Sequence, residues 1–124
     1  MLEEISEDGY NFEQFEPEVN KECWIAVHDT EIKAIYNFHA MNSSTLMIHS
    51  HVLKQFRKDS LKLGQEALRY FLTTDYNKLI VEVPAIYRHI RLYLLRLGFK
   101  FEGINRESYQ KNGEYIDQYR FGIT

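Results

Sequence analysis

Only one cysteine, Cys23, occurs in the 124 residues, so no internal disulfide can form and no partner thiol exists for a cysteine-only metal site. Followed by Trp24 in an apolar run, it reads as a small buried hydrophobe rather than a nucleophile. No apolar stretch approaches the roughly 20 residues needed to cross a bilayer. The first residues, "MLEEISEDGY", lack the basic start and apolar run of a secretory signal. A cytosolic protein without a membrane partner is the expectation. Residues 1–20 contain no Lys or Arg against seven acidic residues. Internal repeats and low-complexity segments are also lacking; His28, His39 and His89 have no companion at metal-ligand spacing and receive no role, and no metal is assigned.

Apolar residues make up 44% of the chain and aromatics 15%, enough for a single core at this length. The overall charge is −3. Because residues 1–20 alone carry −7, the remainder is mildly basic at +4. Such a body suits a phosphate-bearing ligand or an acidic partner, while its cations are too thinly spread for a nucleic-acid footprint.

Residues 1–21 read as an acidic, irregular arm, docking through Tyr10, Phe12 and Phe15 and containing at most a short strand or helix. Residues 22–124 read as one domain. "ECWIAVHD" (22–29) and "IKAIYNFHAMN" (32–42) flank a turn as a hairpin, the second with Ile32, Ala34, Tyr36, Phe38 and Ala40 on one side. "TLMIHSHVL" (45–53) is a third strand. Ser60 to Asp75 switches to helical spacing, with Gly64, Ala67, Leu68, Phe71 and Leu72 on one face. "KLIVEVP" (78–84) is a buried strand closed by Pro84. "AIYRHIRLYLLRLGF" (85–99) is a second helix with an Ile86, Ile90, Tyr93, Leu94 and Leu97 stripe, stopped by Gly98. The rest is a long hairpin turning at Asn112–Gly113. The expected fold is α/β of the α+β type, a mixed, mainly antiparallel sheet with two packed helices.

The strand–helix–strand succession from 45 to 84 is long enough for a right-handed parallel crossover. It places the helix N-terminus, with its unpaired N–H groups and positive dipole end, at the carboxyl end of the first strand. Arg57, Lys58 and Lys62 in "QFRKDSLKLGQEAL" (55–68) add side-chain charge there, and a phosphate or pyrophosphate fits such a place.

Two segments carry a resemblance to a known family. Asp59-Ser60-Leu61-Lys62-Leu63-Gly64 is similar to the Arg/Gln-x-x-Gly-x-Gly/Ala loop, and "YLLRLGF" (93–99) to the phrase "LYEKLGF", of the GCN5-related N-acetyltransferase (GNAT) family. The run from residue 22 onward resembles that family's fold in element order, shortened at its N-terminus. The resemblance implies an acyl-CoA-dependent N-acetyltransferase, with acetyl-CoA as cofactor and an amine as acceptor. Val52, Leu53, Arg57, Lys58, Lys62, Leu63 and Gly64 would hold the cofactor. Lys62 stands where the family has its first glycine and Asp59 where Arg or Gln is usual, so the loop is eroded relative to the pattern. Leu94 falls at the position of the family's general-acid tyrosine, and Tyr93 lies one residue away, about 100° around the helix. His49 and His51, at i and i+2 on one strand face, are the candidates for the base that deprotonates the amine. The chain also resembles shortened GNAT-like proteins of short-tailed bacteriophages. That implies an alternative: a non-catalytic virion or head-assembly protein acting through protein–protein contacts, in the host cytoplasm or the virion.

Overall fold

Alternating apolar residues in the 32–42 run, a switch to helical spacing at Ser60 and a glycine stop at Gly98 all take the local form their patterns require. A computed structural model describes Leu2–Ile5, Glu22–His28 and residues 31–124, with side chains from Glu31 onward. The proposed docking of Tyr10, Phe12 and Phe15 and the burial of Cys23 lie outside the described residues. The strands are β1 (Leu2–Ile5), β2 (Glu22–His28), β3 (Ile32–Ala40), β4 (Thr45–Val52), β5 (Lys78–Pro84), β6 (Lys100–Lys111) and β7 (Glu114–Ile123). The helices are α1 (Ser60–Leu72) and α2 (Arg88–Leu97), with a 3-10 helix at Lys54–Asp59. The sheet is mixed and mainly antiparallel, with two helices, an α+β fold. Contacts divide the chain into two compact units, Met1–Leu79 and Ile80–Thr124.

In the first unit β1, β2, β3 and β4 are antiparallel neighbours in chain order. Ala34, Tyr36, Phe38 and Ala40 form one buried face of β3, although Ile32 at the strand's start is 41% exposed. Their register partners on β4 are Val52, Ser50, Ile48 and Leu46. α1 contributes buried Leu63, Gly64, Ala67 and Phe71, and Phe38 meets Tyr70 with ring centroids 5.2 Å apart. Full burial of a side chain such as Phe38 is worth roughly 1.5–3 kcal/mol.

The helix stops at Leu72, short of Asp75, because two threonine hydroxyls take its last carbonyls. Thr73 Oγ1 donates to Tyr70 O at 2.6 Å and Thr74 Oγ1 to Phe71 O at 2.7 Å. Leu72, the last residue of α1, points away from the face formed by buried Leu63, Gly64, Ala67 and Phe71 and is 76% exposed. Asn42 organises the β3–β4 turn, its Oδ1 accepting from Ser44 N at 2.8 Å and from Ser44 Oγ at 3.0 Å. The Ser44 carbonyl accepts from the N–H groups of Asn77 (2.9 Å) and Lys78 (3.1 Å).

In the second unit the strand order is β5, β7, β6, with β6 and β7 a long antiparallel hairpin. Its two-residue turn has Asn112 at φ 52° and Gly113 at φ 79°, the left-handed pair that matches strand twist. The second helix is shorter than its apolar pattern. A turn in which Tyr87 N donates to Pro84 O at 3.0 Å delays its start to Arg88, leaving Ile86 51% exposed. Leu94 is its buried residue, and the Arg91 guanidinium lies 4.8 Å from the centre of the Tyr119 ring. β6 carries two irregularities, between Phe101 and Gly103 and between Asn105 and Tyr109. The second is held by Glu107 N donating to Asp117 Oδ1 at 2.8 Å.

Candidate active site

The junction between β4 and α1 is helical rather than an open loop. Leu53, extended at φ −61° and ψ 142°, donates its N–H to Lys33 O at 3.0 Å and accepts from Phe56 N at 2.9 Å. The 3-10 helix then runs directly into α1. Ser60 spends both donors backwards on one carbonyl, since its backbone N–H binds Arg57 O and its Oγ donates to the same oxygen at 2.6 Å. Asp59, in the N-cap position, makes no capping bond.

Lys54, Arg57, Lys58 and Lys62 are all exposed around this junction, with Asp59 as the nearby acid. Arg69 pairs with Glu66 and Arg120 with Glu82; Arg57, Lys58 and Lys62 take part in neither pair. No acidic residue lies in the first turn of α1. The donor set is therefore cationic and suits a phosphate-bearing cofactor. Leu63 and Gly64 are buried, so only their backbone could face such a ligand. Val52 and Leu53, at the end of β4, are half-buried.

His49, Ser50 and His51 are consecutive exposed residues at that end of β4. The register sets His49 opposite Asn37 and His51 opposite Ile35, so the two rings share one sheet face as their spacing requires. The opposite face carries Leu46, Ile48, Ser50 and Val52. Tyr93 belongs to the second unit, half-buried in the middle of α2, and burial pushes its phenol up to about 12.

Two features escaped sequence reasoning. Asn37 is 5% exposed, and its Nδ2 has no hydrogen-bond partner among the described residues. Its only sequence signal is an amide in an otherwise strand-favouring run. In the second unit, Glu82 Oε2 accepts from Asn105 Nδ2 at 3.4 Å and pairs with Arg120 Nη2 at 3.4 Å. Beside them a cleft of about 330 Å³ is lined by Gly103, Ile104, Asn105 and Arg120. Among the described residues no group of three or more His, Cys, Asp or Glu could hold a metal ion, and no helix is long and apolar enough to cross a membrane.

No protein-family model matches the sequence, and no curated protein does. Solved structures do. A point variant of spermidine N-acetyltransferase SpeG from Vibrio cholerae superimposes with a TM-score of 0.77 at 21% identity, covering 84% of this chain and 66% of that one. This chain has the GNAT fold. The spermidine N-acetyltransferase from Vibrio cholerae in complex with CoA and spermine matches with a TM-score of 0.76, 21% identity and the same coverages. The protein smu.2055 from Streptococcus mutans UA159 matches at 0.70 and 16% identity, over 82% of this chain and 69% of that one. The GNAT-fold chain described here thus spans just under two-thirds of the length of the SpeG structures it matches.

Proposed function

We propose that the protein binds acetyl-CoA at the start of α1 and transfers the acetyl group to an amine. The observation that carries this reading is the exposed cationic junction of Arg57, Lys58 and Lys62, at the carboxyl end of β4, in a fold whose solved neighbours include a CoA and spermine complex. Arg57, Lys58 and Lys62, with backbone groups around Leu63 and Gly64, would hold the diphosphate; Val52 would offer backbone hydrogen bonds beyond it, and Leu53, whose N–H is taken by Lys33 O, would line the site through its side chain. The cofactor supplies an acyl group already activated as a thioester.

The remaining chemistry belongs to side chains of this chain. The acceptor amine must lose a proton to attack, and the exposed imidazoles of His49 and His51 are the candidate bases at this strand end. Attack of the amine on a bound thioester would form the C–N bond, break the C–S bond and release the sulfur as a thiolate. Tyr93, at about 12, is a far weaker acid than a thiol of ordinary pKa about 8.5, so the thiolate takes its proton from solvent. The amine is of the polyamine class, a reading supported by the spermidine enzymes among the neighbours. The reaction needs no membrane, and its setting is the cytoplasm.

The test is titration with CoA and acetyl-CoA followed by thermal unfolding, then measurement of free CoA release with spermidine, spermine and simple amines. Absence of both stabilisation and CoA release at millimolar ligand removes the reading.

A second reading rests on Lys62, in the place of the loop glycine, and on the apolar residues Phe101, Ile104, Tyr109 and Tyr115 exposed on the hairpin. In it the domain is a phage virion or head-assembly protein that binds other proteins without catalysis. Affinity capture from phage-infected cells tests it, and recovery of no virion or assembly protein counts against it.

A further inference from the structure

Asn37 projects from the β3 face opposite the one packed on α1, and its amide donor is buried without a partner among the described residues. Leaving such a donor unpaired costs its full desolvation penalty, which favours a partner that can reach it. The residue opposite is His49, and directly opposed Cβ atoms lie about 4.5–5.5 Å apart. The exposed His49 ring can therefore turn a nitrogen onto Asn37 Nδ2. His51 faces Ile35, which offers no hydrogen bond. On the same face of β3, Lys33 lies with its ammonium over the Phe56 ring at 5.5 Å, and His39 stands opposite Met47. On the β2 side the register partners of Asn37 and His39 are Trp24 and Glu22.

Resting on the acyltransferase reading above, we propose that Asn37 is a positioning residue that gives the two histidines different roles. Its Nδ2–H donates to one ring nitrogen of neutral His49, occupying the only lone pair the imidazole has. The other ring nitrogen then carries the proton and faces outward as a donor. Held so, His49 accepts no proton from an amine; it offers an N–H to the acyl carbonyl oxygen as negative charge develops there. The amine proton passes to the free ring nitrogen of His51, while the C–N bond forms and the C–S bond breaks.

Long-range proton–nitrogen spectra of the ¹⁵N-labelled full chain at pH 8 read the tautomers directly. The wild type should show one His49 tautomer and Asn37→Leu a mixture, with His51 the same in both. Unchanged His49 tautomers in a folded Asn37→Leu protein overturn the proposal. If that variant does not fold, His49→Ala, at an exposed position, serves instead: it should shift the Asn37 side-chain amide resonances and speed their exchange, and no change overturns the proposal. Both readouts are independent of turnover, so an inactive protein with the expected spectra sinks the acyltransferase reading and leaves the Asn37–His49 bond standing. With turnover, His51→Ala should abolish the acid limb of the pH–rate profile. His49→Ala should lower kcat more than about tenfold and keep that limb. The reverse assignment refutes the division of roles.

Discussion

Phe99 donates its backbone N–H to the Leu94 carbonyl at 3.1 Å, while Gly98 N reaches Leu95 O, also at 3.1 Å. These two bonds and the burial of both Leu94 and Phe99 form a complete Schellman ending for α2. They explain in physical terms why "RLGF" closes the helix. Gly98 has φ 103°, in the region where an L side chain is strained.

Gly98→Ala should therefore destabilise the protein by about 1–2 kcal/mol. A Cβ there would meet Ile123 Cδ1 at 3.6 Å, ordinary contact, so the loss is conformational rather than steric. Urea unfolding should show a lower midpoint with an unchanged slope.

Phe71 and the adjacent Leu72 make a sharper contrast. Both fit the apolar stripe of the sequence, yet Phe71 is 4% exposed and Leu72 76%. Phe71→Ala should lower stability by about 3–5 kcal/mol, and Leu72→Ala by no more than about 0.5 kcal/mol. Equal losses in chemical unfolding would contradict the way α1 is seated.

Alkaline stability should depend on Tyr93. An unfolded tyrosine loses its proton near 10, whereas burial holds the folded Tyr93 near 12. The stabilisation from this difference is complete below pH 10 and is lost as pH rises through 12. Unfolding free energies at pH 8 and pH 11 should fall less for Tyr93→Phe than for wild type. In any acetyltransfer assay the same variant should change turnover less than tenfold, under about 1.4 kcal/mol, because solvent protonates the leaving thiolate.

Cofactor binding has its own signature at the α1 start. At about 100 times its dissociation constant, CoA should stabilise the fold by about 2.7 kcal/mol, and added salt should weaken the effect. Lys62 is exposed, so Lys62→Gly should weaken binding through the lost charge. Tighter binding by the glycine variant in a thermal-shift titration would show instead that the lysine obstructs the backbone.

Much of this architecture was legible because the deciding signals are local. The β3 alternation, the Asn112–Gly113 turn and the Gly98 stop each depend on conformational preferences within a few residues, and each stands where the pattern puts it. The helix boundaries were less legible. α1 ends three residues early because the Thr73 and Thr74 hydroxyls turn back on Tyr70 and Phe71, a competition between side chain and backbone that apolar periodicity does not register.

The sequence by itself determined the element order, the basic junction after β4 and the shared face of His49 and His51, since period and charge are properties of the chain. Only the tertiary structure decided that Lys54–Asp59 coils into α1, that Glu82 meets Arg120 and Asn105, and that Asn37 is buried opposite His49 with no amide partner among the described residues. Strand register and burial depend on groups distant along the chain. An asparagine reads the same in sequence whether water or a neighbouring strand receives its amide.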